Sequence, residues 1–451
     1  MPTLTLQLTP QQPVLGWLNE PQLCYMLLSI AAPHPSGALP VNWALVADAS
    51  RSMRIPIVDE AQFRALLRSG GAQETLVDGV PVWQLTAPVP PEIRAAAPSA
   101  LEFVARALHS VVEQLDGRDR FALVACAEEA LLLTRSTSGA DRVELVRGIA
   151  RLKTLNLGEQ TDLAQGIELG LSELRRGRAA QSAPARAELL LLTDGFTRRP
   201  DECLRLADAA AAEGIAISTV GLGGEFQEDV LTGLADRSAG RALFLRKPND
   251  IPRAIGAELS AARAMAARGV RMHITLAGGV ALRRITRIRP ALTPLDEQRA
   301  ALDDRRSELR LGDIEAGAPV ALLLELLVPP QLPGPAALGQ IAVHDDGGPA
   351  AELELTARYQ DQAAPAPAAV LDAAARANAA RLQQRALDAA ARGQPAEGAL
   401  LLRAAAARLD DLGERRMAEV AREQAAALEQ GRGANSLAAK ELAYATRRLG
   451  G

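Results

Sequence analysis

"VNWALVADASRSM", residues 41–53, decides the fold. A greasy run reaches Asp48 and gives way at once to Ser50 and Ser52 at alternate positions, with Arg51 between them. A continuous apolar run, unlike an alternating one, marks a strand covered on both faces of a parallel sheet. Working outward, runs of the same kind recur in "RFALVACA" (120–127), "AELLLLT" (187–193), "GIAISTVGLG" (214–223) and "RALFL" (241–245). Between them lie helical patterns at 98–115, 141–152, 161–176 and 201–214, with Pro98 and Gly214 as start and stop signals. This alternation predicts an α/β doubly wound parallel sheet over residues 41–267.

In such a sheet ligands bind beyond the carboxyl ends of the strands. Asp48, Ser50 and Ser52 follow the first strand, Asp194 follows "LLLLT" in "TDG", and Thr161 opens a helix in "GEQTDLAQGI". Three loops therefore deliver five oxygen side chains to one rim, without sulfur or imidazole. Hard oxygen donors that leave room for water suit Mg²⁺ better than Ca²⁺. Each element alone has a plainer reading: Ser and Asp favour helix starts, Thr161 would cap its own helix, and Asp194-Gly195 would make a simple turn. The three elements together, in order and each at the end of the right structural element, favour a metal site.

"DASRSM", "TDLAQG" and "LLLLTDG" resemble, residue by residue, the metal-ion-dependent adhesion site of the von Willebrand factor A family. The resemblance covers residues 41–267. It implies that Ser50, Ser52 and Thr161 are the inner ligands, that Asp48 and Asp194 stand behind them and act through water, and that a partner carboxylate completes the shell. It also implies Mg²⁺, with Mn²⁺ or Ca²⁺ as alternatives. By the same alternation Arg51 points away from the cluster, towards a carboxylate of a neighbouring segment or of a partner.

The sequence departs from the family pattern in one large respect. The first helix usually follows the adhesion-site loop closely, whereas here an insertion spans residues 54–97. It holds a helical stretch, "DEAQFRALLRS", and "ETLVDGVPVWQL", where Asp78-Gly79 signals a hairpin; "APVPPEI" closes it in extended form. Asp59, Glu60, Glu74 and Asp78 are candidates to occupy the open metal position in cis, so the insertion either gates ligand access or is decoration.

Beyond Gly269 the period changes to two. "VRMHITLAG", "ALRRITRIRP", "SELRLGDIEAG", "VALLLELLVPP", "GQIAVHDD" and "AELELTARY" predict an antiparallel β-sandwich over 269–360. "TLTLQLTP" and "QLCYMLLSIAAP" have the same character, so residues 1–36 are expected to complete that sandwich. After a Pro/Ala linker, residues 368–449 are Ala-, Leu- and Arg-rich with helical spacing broken at Gly393 and Gly413, predicting a C-terminal α-helical bundle of three or four helices.

Bulk properties narrow the function. The chain has 451 residues, enough for two or three domains. A net charge of −4 gives no support for a nucleic-acid partner. Cys24, Cys126 and Cys203 are odd in number and lack CxxC spacing, which argues against zinc and against a disulfide framework. No apolar run suits a membrane span and the N-terminus reads as a strand, so a cytoplasmic protein is expected, and the Ala/Arg-rich composition is that of a high-GC bacterium. His34, His109, His273 and His344 are scattered, and no Walker A loop, GxSxG elbow or HExxH occurs.

The expected function is a non-enzymatic, Mg²⁺-dependent adaptor that captures an Asp or Glu side chain of a partner protein. The resemblance implies MoxR-type AAA ATPases or signalling and conflict-system components as the partner class. The alternative is a metal-dependent phosphohydrolase using the same cation, with Arg51 as the one obvious anion clamp.

Overall fold

A computed structural model describes residues 4–10, 12–33, 40–57, 60–77, 80–85, 97–155, 157–158, 160–181, 185–224, 226–296, 298–431 and 437–448. They form two compact units, one of Pro40–Leu234 with Ala242–Ser260, the other of Met1–Leu39, Ala235–Arg241 and Ala261–Gly451. The chain opens with β1 (Thr5–Thr9), β2 (Val14–Gly16), β3 (Gln22–Ala31) and β4 (Val41–Asp48). Next come α1 (Glu60–Arg68), β5 (Ala72–Val77), β6 (Val80–Leu85), α2 (Ala100–Gln114), β7 (Arg120–Cys126) and β8 (Ala130–Ser138). They are followed by α3 (Arg142–Thr154), α4 (Leu163–Ala180), β9 (Arg186–Thr193), α5 (Pro200–Ala212), β10 (Ala216–Leu222), α6 (Glu228–Ser238), β11 (Ala242–Leu245) and α7 (Ile251–Arg263).

The six strands of the parallel unit run in the order β11-β10-β9-β4-β7-β8. All neighbours pair in parallel except β8, which turns back antiparallel against β7. The sequence shows no clear strand at β8, because this edge strand is only partly covered and its burial neither alternates nor runs continuously. Every residue of β4 is buried. From β4 the chain goes to β7 on one side and later to β9 on the other, so the carboxyl ends of β4 and β9 form the topological switch point.

Helix α4 packs unusually close to this sheet because glycines face it. A Cβ on Gly166 would come within 2.7 Å of Val46 Cγ1, and one on Gly170 within 2.6 Å of Leu189 Cδ1. Asn42 Nδ2 donates to the Leu174 carbonyl at 2.7 Å, pinning the same helix to β4. The start of α4, which Thr161 precedes by two residues, is thereby set against the end of β4. In the insertion, α1 is followed by β5 and β6, an antiparallel pair that is its own two-stranded sheet. Glu60 opens α1 and Glu74 lies in β5. Asp59, the Asp78-Gly79 turn and "APVPPEI" lie outside the described residues.

The second unit continues through β12 (Met265–Leu276), β13 (Ala281–Arg289), β14 (Thr293–Pro294), β15 (Arg299–Ala301), β16 (Arg306–Glu315), β17 (Val320–Val328), β18 (Gly334–Asp345) and β19 (Gly348–Gln360). It ends in α8 (Ala368–Ala391), α9 (Pro395–Asp411), α10 (Arg415–Glu429) and α11 (Leu437–Arg447). Its two sheets run β1-β3-β17-β13-β14 and β15-β16-β12-β18-β19-β2. Met26, Leu28, Ile30, Leu322 and Leu324 of one sheet share a core with Met272, Ile274, Ile341 and Val343 of the other. The first three strands of the chain thus belong to both sheets. On the other face of the first sheet, Leu323 and Ile288 are covered by Val370, Ala373 and Ala377 of α8. The remaining helices close on an Ala/Leu core that includes Ala386, Leu402, Ala406, Ala421 and Ala425. Gly393 and Gly413, at φ 76° and 79°, turn the chain after α8 and α9 as helix-ending glycines do. Among the described residues no helix is long and apolar enough to cross a membrane.

Candidate metal centre

The end of β4 turns sharply into an oxygen-rich loop. Ala49 N–H donates to the Cys126 carbonyl at 2.7 Å, extending the pairing with β7 by one residue. Ser50 N–H then donates back to Asp48 Oδ1 at 2.9 Å, which folds the loop over its own carboxylate. The Ser50 and Ser52 hydroxyls come to lie 3.1 Å apart, and a 3₁₀ turn over Ser52–Arg54 carries the chain away.

Two other loops meet this one. Ser52 Oγ donates to Asp194 Oδ1 at 2.7 Å. Thr161 Oγ1 lies 3.4 and 3.3 Å from the two Asp48 oxygens. Asp162 N–H donates to the Ala127 carbonyl at 2.7 Å, and Arg198 N–H donates to the Thr161 carbonyl at 3.1 Å, so Thr161 is held by backbone on both sides. Asp48, Ser50, Ser52, Thr161 and Asp194 therefore stand together at the switch point.

Accessibility is graded across the cluster. Asp48 is fully buried, Ser50 and Thr161 nearly so, Asp194 is half-buried and Ser52 is exposed. Burial pushes the Asp48 carboxyl up, against hydrogen bonds from Thr193, Ser50 and Thr161 that pull it down. Every one of these partners is a hydroxyl or a backbone N–H. Among the described residues no arginine, lysine or histidine forms an ion pair with Asp48. A buried carboxylate without a cation is costly, and nature's usual remedies are a charged partner or a metal.

The donor set fits a hard divalent ion. Neighbouring ligands of an octahedral Mg²⁺ at about 2.1 Å lie about 3 Å apart, the spacing of the Ser50 and Ser52 hydroxyls. Among the described residues no three His, Cys, Asp or Glu side chains gather as ligands, so the candidate rests on hydroxyls backed by two carboxylates. All three thiols are buried, and burial pushes Cys24 up to about 12 and Cys203 up to about 11, which leaves them poor ligands and nucleophiles.

Sequence reasoning missed the residues that hold these five in place. Thr193 Oγ1 donates to Asp48 Oδ2 at 2.5 Å and accepts from Gly195 N–H at 3.1 Å, so it ties β9 to β4 and shapes the turn after Asp194. Its adjacency to Asp194 in "TDG" was the available signal. Arg199 pairs with Asp162 at 2.8 Å, and Thr197 accepts from Leu163 N–H at 3.1 Å while donating its own N–H to Gln227 Oε1 at 2.9 Å. Burial pushes the Asp162 carboxyl up, but Arg199 and Gln165 together bring it below its ordinary value. These links join residues far apart in the chain, and no local pattern announces them.

With the geometry in hand, the relatives fall into place. Residues 96–255 match the family model of the von Willebrand factor type A domain, and residues 368–451 match that of the Sll0103-like, C-terminal alpha-helical domain. The first match begins at the end of the insertion and so leaves out the loop of Asp48, Ser50 and Ser52. A solved von Willebrand factor type A protein from Catenulispora acidiphila superposes with a TM-score of 0.69 at 16% identity, covering 93% of this chain and 89% of that one. Residues 96–255 thus match a von Willebrand factor type A domain, and the solved protein shares its fold. A curated relative, protein sll0103 of Synechocystis, is 23% identical over 282 residues, which is 59% of this chain and 64% of the relative's length.

Proposed function

We propose that this chain is a divalent-cation-dependent protein-binding module, acting as an adaptor rather than as an enzyme. The observation that carries the reading is the buried Asp48 carboxylate, surrounded by hydroxyls and backing an exposed edge at Ser52 and Asp194. Ser50, Ser52 and Thr161 would hold the ion directly, with Asp48 and Asp194 supplying the negative charge behind them. A bound Mg²⁺ supplies an open coordination position for a carboxylate from outside. The chain's own part is to orient the hydroxyls and to keep Asp48 dry, so that its charge acts at close range.

The partner in this reading is a protein offering an Asp or Glu side chain, with a MoxR-type AAA ATPase as the first candidate class. The sandwich and helices serve as scaffold. The hydrolase alternative is less well supported, because it would need Asp48 or Asp194 as its general base, and Asp48 is fully buried and already accepts from Thr193 and the Ser50 backbone. The test is a Mg²⁺-dependent pull-down from native lysate with wild type and with Ser50→Ala/Ser52→Ala. Partners recovered by wild type in Mg²⁺, lost in EDTA and absent from the variant are expected. Equal recovery by both proteins would sink the reading.

A further inference from the structure

We propose that the segment captured at this rim is acidic and carries a bulky apolar side chain beside its metal-binding residue; this rests on the carboxylate-capture reading above. Two large apolar side chains stand exposed on the loops that supply the open edge of the cluster. Ile55 is 46% exposed and Phe196 is 56% exposed. Ile55 N–H donates to the Ser52 carbonyl at 3.1 Å, so it is fixed one 3₁₀ turn from that hydroxyl. Phe196 sits between Asp194 and Thr197, whose backbone bridges to Thr161. The 2.7 Å bond from Ser52 to Asp194 ties together the two loops that carry these apolar groups.

Exposed large apolar side chains are otherwise sparse in this unit. Among its described residues the others are Val143 and Val146, both on α3. An aromatic and a β-branched side chain beside a polar centre form the usual pattern of an interaction hot spot, in which apolar contact excludes water around a polar anchor.

Charge narrows the partner further. Arg198 follows Phe196 by two residues and is exposed. Arg198 donates to Gln160 and stands 4.0 Å from Glu128, a separation that leaves its guanidinium only loosely neutralised. A loosely neutralised guanidinium on the loop of Phe196 repels basic segments and favours a second acid next to the first. The occupant is therefore an Asp or Glu flanked by Phe, Leu, Ile or Trp, with another acidic residue nearby.

Random peptides displayed on phage, panned on the full-length protein in Mg²⁺ and eluted with EDTA, test this. The expected pool places an acidic residue beside a bulky apolar one. A synthetic peptide from that pool should bind Phe196→Ala and Ile55→Ala about tenfold more weakly than wild type, the loss typical of a removed anchor. Both positions are exposed, so unchanged circular dichroism and unchanged Mg²⁺ binding by calorimetry are expected of the variants. Acidic peptides with random flanks, or equal affinity for wild type and both variants, would overturn the inference and leave carboxylate capture standing. A pool without EDTA-eluted peptides, or one that Asp48→Asn captures equally well, would overturn both.

Discussion

Two carboxylates are buried in the same parallel sheet, and the chain treats them in opposite ways. Glu188 on β9 accepts from Arg186 Nε at 3.0 Å and from Ser218 Oγ at 2.6 Å, with both side chains of the ion pair almost fully enclosed. Asp48 on β4 accepts from Thr193, Thr161 and the Ser50 backbone, none of them charged. Glu188 has its counter-charge built into the sheet. Asp48 has donors around it but, among the described residues, no cation, and it stands behind an edge open to solvent. The same chemical group is structural in one place and unfinished in the other. What separates them is position, since Glu188 is near the start of β9 and Asp48 at the carboxyl end of β4, at the switch point.

The sharpest way to break this comparison is to remove the resident cation. Arg186→Met should cost about 3–5 kcal/mol in urea unfolding, because it leaves Glu188 charged and enclosed. A loss below about 1 kcal/mol would mean that Glu188 is not held as an ion pair.

Asp48→Asn should behave differently. In chelator its stability should stay within about 1 kcal/mol of wild type, since the neutral amide is easier to bury than an unpaired carboxylate. Wild type should gain about 2.7 kcal/mol when Mg²⁺ reaches a hundred times its Kd, and the variant none, as read by thermal or chemical unfolding. Equal gains would place the ion elsewhere.

Thr193→Val sharpens the contrast from the donor side. Losing the 2.5 Å bond to a buried charged group should cost about 2 kcal/mol in chelator. The same change should weaken Mg²⁺ binding in calorimetry, whereas a purely packing role would leave the affinity as it was.

The smallest effect belongs to an exposed carboxylate. Arg175 meets Glu213 at 2.6 Å with both side chains about a third or more accessible, so Arg175→Ala should cost no more than about 1 kcal/mol after solvent screening. Arg175 holds the Glu213 carboxyl below its ordinary 4.5. A depressed acid stabilises the fold above its unfolded pKa and loses that contribution as pH falls through the folded one. The gap between wild type and variant in urea should therefore be full at neutral pH and close in acid below 4.5.

How much of this could be read from the sequence followed from how local each signal is. The α/β fold class was legible because β4, β7, β9 and β10 are buried on both faces, and burial writes itself as continuous apolar runs. The N-terminal strands were legible by their period, although nothing local names β17 and β19 as the strands they join. Asp48, Ser50 and Ser52 are legible as a cluster within five residues, while Thr161 and Asp194 need the strand order to bring them near. Glu188 was invisible as an ion pair, since "ARAELLLL" reads only as a strand with a polar start and Ser218 reaches it from β10. Asp162 and Arg199 escaped notice for the same reason, being tied across two loops.

The pairing of β3 with β17, in which Leu28 faces Leu322, also sets an order of events during synthesis. At roughly 5–20 residues per second, a ribosome that has finished β3 needs roughly 15–60 s more to deliver β17. All of the parallel unit, from Pro40 to Ser260, is made in that interval and can fold. Meanwhile β3, paired with β1 on one side, waits with Met26, Leu28 and Ile30 uncovered and the edge that β17 takes unpaired, the kind of strand that adds itself to other chains. The sandwich thus becomes safe well after the parallel unit, and chaperone dependence in the cell should track residues 22–31 rather than the metal-site loops.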